Sequence, residues 1–195
     1  MRVTSGIFKG HLLKSPKGGN VRPTSELVKE ALFAIIGEKI EDSSFLELFA
    51  GSGNVGIEAL SRGAKQVVFV EKSRHCIKTI EVNLHNLGVA YKHGLSSPGA
   101  SAYLLGIDTE RSLTMFARSG YAFDIVFMDP PYADCEPKNC LLKINRYDIL
   151  KDHSLLIVEH SRRNRAPQTD TGLSLLNTRT YGETALSFYA KVSDK

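Results

Sequence analysis

The chain has 195 residues, of which 42% are hydrophobic and 24% charged, with a formal net charge of +4. Those values predict one compact domain with a small appendage. No apolar run approaches the roughly 20 residues of a membrane span, and the start, MRVTSGIFKG, lacks the apolar core of a secretory signal. Cys76, Cys135 and Cys140 are odd in number and carry no metal-ligand spacing. They predict reduced thiols in a cytoplasmic protein, with packing or surface roles rather than a metal site or a disulfide.

Before Glu26 the chain carries Arg2, Lys9, Lys14, Lys17 and Arg22 and no acid, and Arg162, Arg163 and Arg165 form a second cluster. On charge alone, a polyanion partner such as RNA and a plain solvated lysine face fit equally well. Within that first stretch, the runs Val3–Phe8 and His11–Lys14, punctuated by Gly6 and Gly10, predict a small hairpin. KGGN then marks a joint. A helix opens at Pro23-Thr24-Ser25, with a hydroxyl cap and Glu26 at its positive end. Leu27, Ala31, Leu32, Ile35 and Ile36 fall on one predicted face.

From there strands and helices alternate. Strands are predicted at Phe45–Phe49, Val67–Glu71, Tyr103–Ile107, Asp124–Met128 and Leu155–Glu159. Helices are predicted at Val55–Ser61, Arg74–Leu87, Thr109–Ser119 and Pro137–Leu150. Short apolar strands between amphipathic helices indicate a doubly wound, mostly parallel α/β sheet covered on both faces. Leu173–Tyr181 and Thr184–Val192, separated only by Gly182 and Glu183, add an antiparallel hairpin and bring the sheet to seven strands. The Gly- and Ser-rich stretch from Gly88 to Ala102 reads as a long loop.

The chemistry gathers at strand ends. Gly51, Gly53 and Gly56 have G-x-G-x-x-G spacing between a strand and a helix, the form of a nucleotide-binding turn. Glu47, just before it, would face the pyrophosphate of a dinucleotide, and two anions at close range are unfavourable. A ligand with an ammonium and a sulfonium group, such as S-adenosylmethionine, reverses that sign. Glu71, ending VVFVE, can accept two ribose hydroxyls, which serves a dinucleotide and S-adenosylmethionine alike. Asp108, after the third strand, can accept an adenine amine, and both acids could instead cap the helices that follow. The fourth strand runs into Asp129-Pro130-Pro131-Tyr132. Its carboxylate and the Pro130 carbonyl can both accept from one planar amine, and Tyr132 offers a ring on which a base can stack. That set suits the exocyclic amine of a nucleobase.

These residues carry a resemblance. ELFAGSGNVGIEALSRGA, FVE, FDIVFMDPPY, IVEH and YGETALSFY, together with SGIFKGHLL and RPTSELVKEALF, resemble the bacterial 16S rRNA (guanine-N2)-methyltransferases, the small-subunit rRNA methyltransferase D family. The likeness implies a class I S-adenosylmethionine-dependent, Rossmann-like fold, with a basic hairpin arm over 1–22 and a methyltransferase domain over 23–195. It implies cofactor contacts from Glu47, Phe49, Ala50, Gly51, Ser52 and Gly53, with Glu71 on the ribose, Lys72 beside it and Asp108 near adenine. Asp129, Pro130, Pro131 and Tyr132 surround the target base. Lys9, Lys14, Lys17, Arg22 and Thr24 form the RNA side. The family's usual first-motif acid is Asp where this chain has Glu47.

The implied reaction is direct displacement on 16S rRNA within the small ribosomal subunit, with no covalent intermediate and no obligate protein partner. Two alternatives stay open. One is amine methylation of another nucleic acid, either adenine in DNA or guanine in tRNA. The other is a nicotinamide oxidoreductase, favoured by the glycine spacing alone.

Overall fold

The computed structural model describes residues 1–16, 24–95, 99–131, 137–164, 166 and 172–191. Its centre is one sheet of strands β1 (Ser44–Leu48), β2 (Gln66–Val70), β3 (Tyr91–His93), β4 (Ala102–Leu105), β5 (Phe123–Met128), β6 (Leu150–Ser161), β7 (Leu173–Tyr181) and β8 (Thr184–Lys191). Among the described residues five α-helices accompany it: α1 (Glu26–Ile36), α2 (Asn54–Ser61), α3 (Arg74–Asn86), α4 (Thr109–Ser119) and α5 (Pro137–Tyr147). Sheet order is β3-β4-β2-β1-β5-β6-β8-β7, parallel throughout except where β8 pairs with β6 and β7. The predicted doubly wound sheet with a terminal antiparallel hairpin is therefore present, with eight strands among the described residues instead of seven. The additional strand, β3, lies in the stretch expected to be a loop and pairs with β4 in parallel. Three residues are too few to show alternation in the sequence.

Strand alternation sorts the core into two layers. Phe45, Val67, Phe69, Leu104, Ile125, Phe127 and Ile157 pack with residues of α1, α2 and α3, such as Phe33, Ile57 and Ile80. Leu46, Leu48, Val68, Val126, Met128 and Leu156 face the opposite layer with Leu113, Phe116, Leu141 and Ile144 of α4 and α5. Both faces of the central strands are dry, which is why they read as continuous apolar runs.

Four local expectations change, the first being that α5 stops at Tyr147 and β6 already begins at Leu150, where the helix was expected to end and the strand to start only at Leu155. The hairpin over the first residues reduces to an isolated antiparallel bridge, Arg2 to Leu12, because Gly6 and Gly10 take left-handed turns between the two runs. The segment is nonetheless packed down, with Val3 and Leu13 buried in the first core layer. Helix α1 is capped as expected, Ser25 accepting from the Val28 N–H at 3.2 Å. Its buried face, however, is Val28, Lys29, Leu32, Phe33 and Ile36, while Leu27 is 65% and Ile35 41% exposed. The helix is turned by the demands of two partners: Phe33 stacks on Phe45 at 6.4 Å, and the Lys29 ammonium pairs with Glu58 at 2.9 Å. Cys76 is a free buried thiol, but Cys140 is disulfide-bonded, against the expected reduced state. Cys135 lies outside the described residues.

Candidate functional site

The register of the sheet builds the site. Leu105, Val70, Leu48, Met128 and Val158 form one row across β4, β2, β1, β5 and β6. The next residue along each strand is therefore Gly106, Glu71, Phe49, Asp129 and Glu159 in turn. Five parallel strands thus deliver three carboxylates and two chain reversals to one edge. It is the carboxyl edge, where chain connections diverge on either side of β1 and where open α/β sheets bind ligands.

Phe49 starts the reversal after β1 with φ +58°, and Gly51 and Gly53 follow at +54° and +74°. Gly53 precedes α2, and its N–H donates to the Ala50 carbonyl at 2.7 Å. Such left-handed values are nearly costless only for glycine, so Phe49 is the strained member of the turn. Gly56 is required for a different reason. A Cβ there would lie 2.4 Å from the Phe69 ring and 2.7 Å from Glu47 Oε2.

Glu47 sits in β1 among apolar neighbours and is only 3% exposed. Its Oε2 accepts from the Gly56 N–H at 2.9 Å, tying it to the positive end of α2. Burial pushes its carboxyl up to about 8, against the lowering pull of the Gly56 and Val55 backbone groups. Glu71 lies across the turn. Its two oxygens take the Gly51 N–H at 2.9 Å and the Ser73 N–H at 2.8 Å, so it bridges the ends of β1 and β2. Asp108 caps α4, with Oδ1 accepting from the Arg111 N–H at 2.9 Å and Oδ2 3.4 Å from the Arg111 guanidinium. Lys72 is exposed and borders a cleft of about 290 Å³ lined also by Arg74, Ile77, Lys78, Glu81 and Gly106.

On the other side of β1, Asp129 is half-buried, Pro130 buried and Pro131 exposed. Tyr132 lies outside the described residues. Glu159, beside Asp129, is 8% exposed, and its Oε2 accepts from the Thr24 hydroxyl at 2.8 Å. Thr24, only 7% exposed, also accepts through its carbonyl from Asn54 Nδ2 at 3.2 Å.

Lys9 and Lys14 are exposed on the N-terminal segment, while Lys17 and Arg22 lie outside the described residues. Of the second basic cluster, Arg162 and Arg163 both pair with Glu183, at 3.3 and 3.4 Å, and Arg165 lies outside the described residues. Among the described residues no group of three or more His, Cys, Asp or Glu could hold a metal ion. No described helix is long and apolar enough to cross a membrane.

The structure thus gathers Glu47, the Phe49–Gly53 turn, Glu71 and Asp129 at one edge, with Asp108 used as a helix cap. Sequence reasoning missed Glu159, Asn54, Lys29 and Asn83. Each is polar and buried, and the partners that hold it are distant in sequence. The apolar run preceding Glu159 was the one available signal, since it places an acid at a strand end like the other two.

The family model described as "Conserved hypothetical protein 95" matches residues 1–190. YlbH of Bacillus subtilis strain 168 is 38% identical over 191 residues, covering 98% of this chain and 99% of its own. "Ribosomal RNA small subunit methyltransferase D" of Escherichia coli K12 is 30% identical over 193 residues, covering 98% and 90%. The solved structure of yhhF from Escherichia coli superposes with a TM-score of 0.83 at 26% identity, covering 100% of this chain and 99% of that one. With near-complete coverage on both sides, the chain belongs to the small-subunit rRNA methyltransferase D family.

Proposed function

We propose that this protein transfers a methyl group from S-adenosylmethionine to the exocyclic N2 amine of a guanine in 16S rRNA, acting in the cytoplasm on RNA of the small ribosomal subunit. The observation that carries the reading is the register row that sets Glu71 and Asp129 on opposite sides of the Phe49–Gly53 turn. The printed name of the Escherichia coli relative supports an rRNA substrate.

The residues present fit the cofactor. Two left-handed glycines let main chain approach a ligand closely. Each Glu71 oxygen takes one backbone N–H and keeps acceptor capacity for a ribose hydroxyl. Glu47 offers a carboxyl, at the base of the turn, that a neighbouring cation would drive toward its charged form. When bound, S-adenosylmethionine supplies an electrophilic methyl group on a cationic sulfur.

The chain's own work is done at the end of β5. A guanine amine is a poor nucleophile because its lone pair is delocalised into the ring. Asp129 and the Pro130 carbonyl accept its two hydrogens, hold its plane and favour a tetrahedral nitrogen. The Asp129 carboxylate can then take the proton that the nitrogen sheds. Tyr132 is assigned the stacking face by its position in the motif, and the base must leave its stack to reach it.

The test is methyl transfer from labelled S-adenosylmethionine by purified protein to 16S rRNA, tRNA and duplex DNA, with the modified base mapped. Label at guanine N2 of 16S rRNA is expected. Asp129→Ala should lower turnover by about a hundredfold or more, the scale of losing a group that acts in the transition state. Cofactor affinity should stay within about threefold, since Glu71 and the glycine turn remain. Near-normal turnover in that variant, or label confined to tRNA or DNA, would refute the proposal.

A further inference from the structure

The amide of Asn83, on α3, is 1% exposed and joins two regions that the sequence keeps far apart. Its Oδ1 accepts from the Lys14 N–H at 2.8 Å, while Nδ2 donates to the Lys14 carbonyl and to the Ser52 carbonyl, both at 3.1 Å. One side chain therefore clasps both main-chain groups of an exposed lysine and fixes them to the turn between Gly51 and Gly53. The Ser52 hydroxyl adds a second tie, reaching Met1 Sδ at 3.7 Å.

The rest of the N-terminal segment is held just as firmly. The Glu58 carboxylate accepts from the Thr4 N–H, the Thr4 hydroxyl and the Ser5 N–H at 2.9, 2.7 and 2.9 Å. Lys29 Nζ donates to the Arg2 carbonyl at 2.7 Å. Gly6 is pressed so closely on α2 that a Cβ would lie 1.7 Å from the Ser61 carbonyl oxygen. A segment serving only as a solvated tail would have no need of a buried amide, a buried acid and a side-chain-free contact. Fixing main chain at this many points is entropically expensive, and the expense is sensible where a charge must be held at a set distance from reacting atoms.

We propose that Asn83 is a positioning residue for the RNA substrate. It sets the Lys14 backbone, and with it the cation offered to an RNA phosphate, in a fixed frame relative to the cofactor turn. The inference rests on the rRNA reading above and deepens it by naming how the phosphate contact and the methyl donor share one scaffold.

The test uses the full chain in the methyl-transfer assay on 16S rRNA, varying RNA and salt at saturating S-adenosylmethionine. Asn83→Ala should raise KM for RNA by about tenfold, the scale of losing hydrogen bonds. Turnover at saturating RNA and cofactor affinity should stay within about twofold. The slope of RNA affinity against salt should be kept, because every cation remains. Lys14→Gln should raise KM and flatten that slope. The double variant should be no worse than Lys14→Gln alone, because Asn83 acts through Lys14.

An unchanged KM in Asn83→Ala, a parallel loss of cofactor affinity and RNA affinity, or additive effects in the double variant would each overturn the inference while leaving the rRNA reading standing. Wild-type protein that methylates no rRNA would overturn both. If the alanine variant does not fold, hydrogen exchange in the unmodified protein decides the matter. Binding of 16S rRNA should slow exchange at the Lys14 amide, and an unaltered rate there overturns the inference.

Discussion

Glu47 shows how one buried carboxyl connects fold, pH and ligand. In the folded chain its proton is held up to about 8, whereas an unfolded chain releases it near 4.5. The group's contribution to stability is therefore full below pH 4.5, shrinks as pH rises through the interval and is gone above about pH 8. Glu47→Gln keeps an acceptor for the Gly56 N–H and has no proton to lose. Urea denaturation of parent and variant between pH 4.5 and pH 9 should show curves that diverge with rising pH. The variant should become the more stable by a few kcal/mol above pH 8, from about 1.4 kcal/mol for each tenfold change in protonation. Parallel curves would mean that Glu47 is ionised in the folded protein at neutral pH. On the proposed cofactor role of Glu47, the same proton would govern the ligand: S-adenosylmethionine affinity should climb from pH 6 towards pH 8 as the carboxyl gives way to the anion. Glu71 and Asp129 were legible in the sequence because each ends an apolar run, and strand ends are where a parallel sheet does its chemistry; Glu47 was legible as an acid inside the apolar run that leads into the glycine turn. Lys29 and Asn83 were not. A polar residue on an amphipathic helix ordinarily faces water, and nothing local reveals a partner that is 29 positions away for Lys29–Glu58 and 69 for Asn83–Lys14.

At the level of elements, α1, α2 and the first residues are locked together by the Lys29–Glu58 pair. Both side chains are 0% exposed, and the ammonium also reaches the Arg2 carbonyl and Asn54 Oδ1, at 2.7 and 2.8 Å. Burial alone would raise the Glu58 carboxyl, but its hydrogen bonds with Lys29 and Thr4 win and hold it below the ordinary carboxylate value. Removing the cation leaves that acid with Arg62 alone as counterion, its Nε 2.9 Å from Glu58 Oε1 at the partly exposed side of the site. Lys29→Met should cost about 3–5 kcal/mol in urea or thermal denaturation, the scale of breaking a buried pair. A loss below about 1 kcal/mol, typical of surface pairs, would show that Arg62 or water takes over the compensation of Glu58. Most strands and helices of the alternating region were legible to within about two residues, since buried parallel strands and capped helices advertise themselves locally, whereas β3 was read as loop and the exposed first residues of β6, Lys151–His153, hid its start at Leu150. The face of α1 was not, because its rotation answers to Phe45 and Glu58, which lie in other elements.

For the molecule as a whole, the relevant quantity is where positive charge sits relative to the carboxyl edge. The N-terminal segment brings exposed Lys9 and Lys14, and Lys17 follows in the sequence, whereas Arg162 and Arg163 are partly offset by Glu183. RNA binding should therefore depend on the first cluster more than the second. Neutralising Lys9, Lys14 and Lys17 together should reduce the slope of log affinity against log salt by about 2, at roughly 0.7–0.9 per phosphate contact. Replacing Arg162 and Arg163 should alter it by less than about 1. Filter-binding or fluorescence titrations across a salt series check both, and equal slopes in all variants would remove the N-terminal segment from the RNA interface.

The order β6-β8-β7 has a consequence for how this polypeptide is made. Synthesis delivers β7 before β8, yet β8 is the strand that must slot between β6 and β7. Until Thr184 and the residues after it leave the ribosome, β6 has no neighbour on that flank, and Leu186, Phe188 and Tyr189 are missing from both core layers. A nascent chain halted before that point is an unfinished sheet with a greasy, unpaired rim, the kind of species that chaperones hold and proteases clear. Completion of the sheet is thereby tied to the emergence of β8.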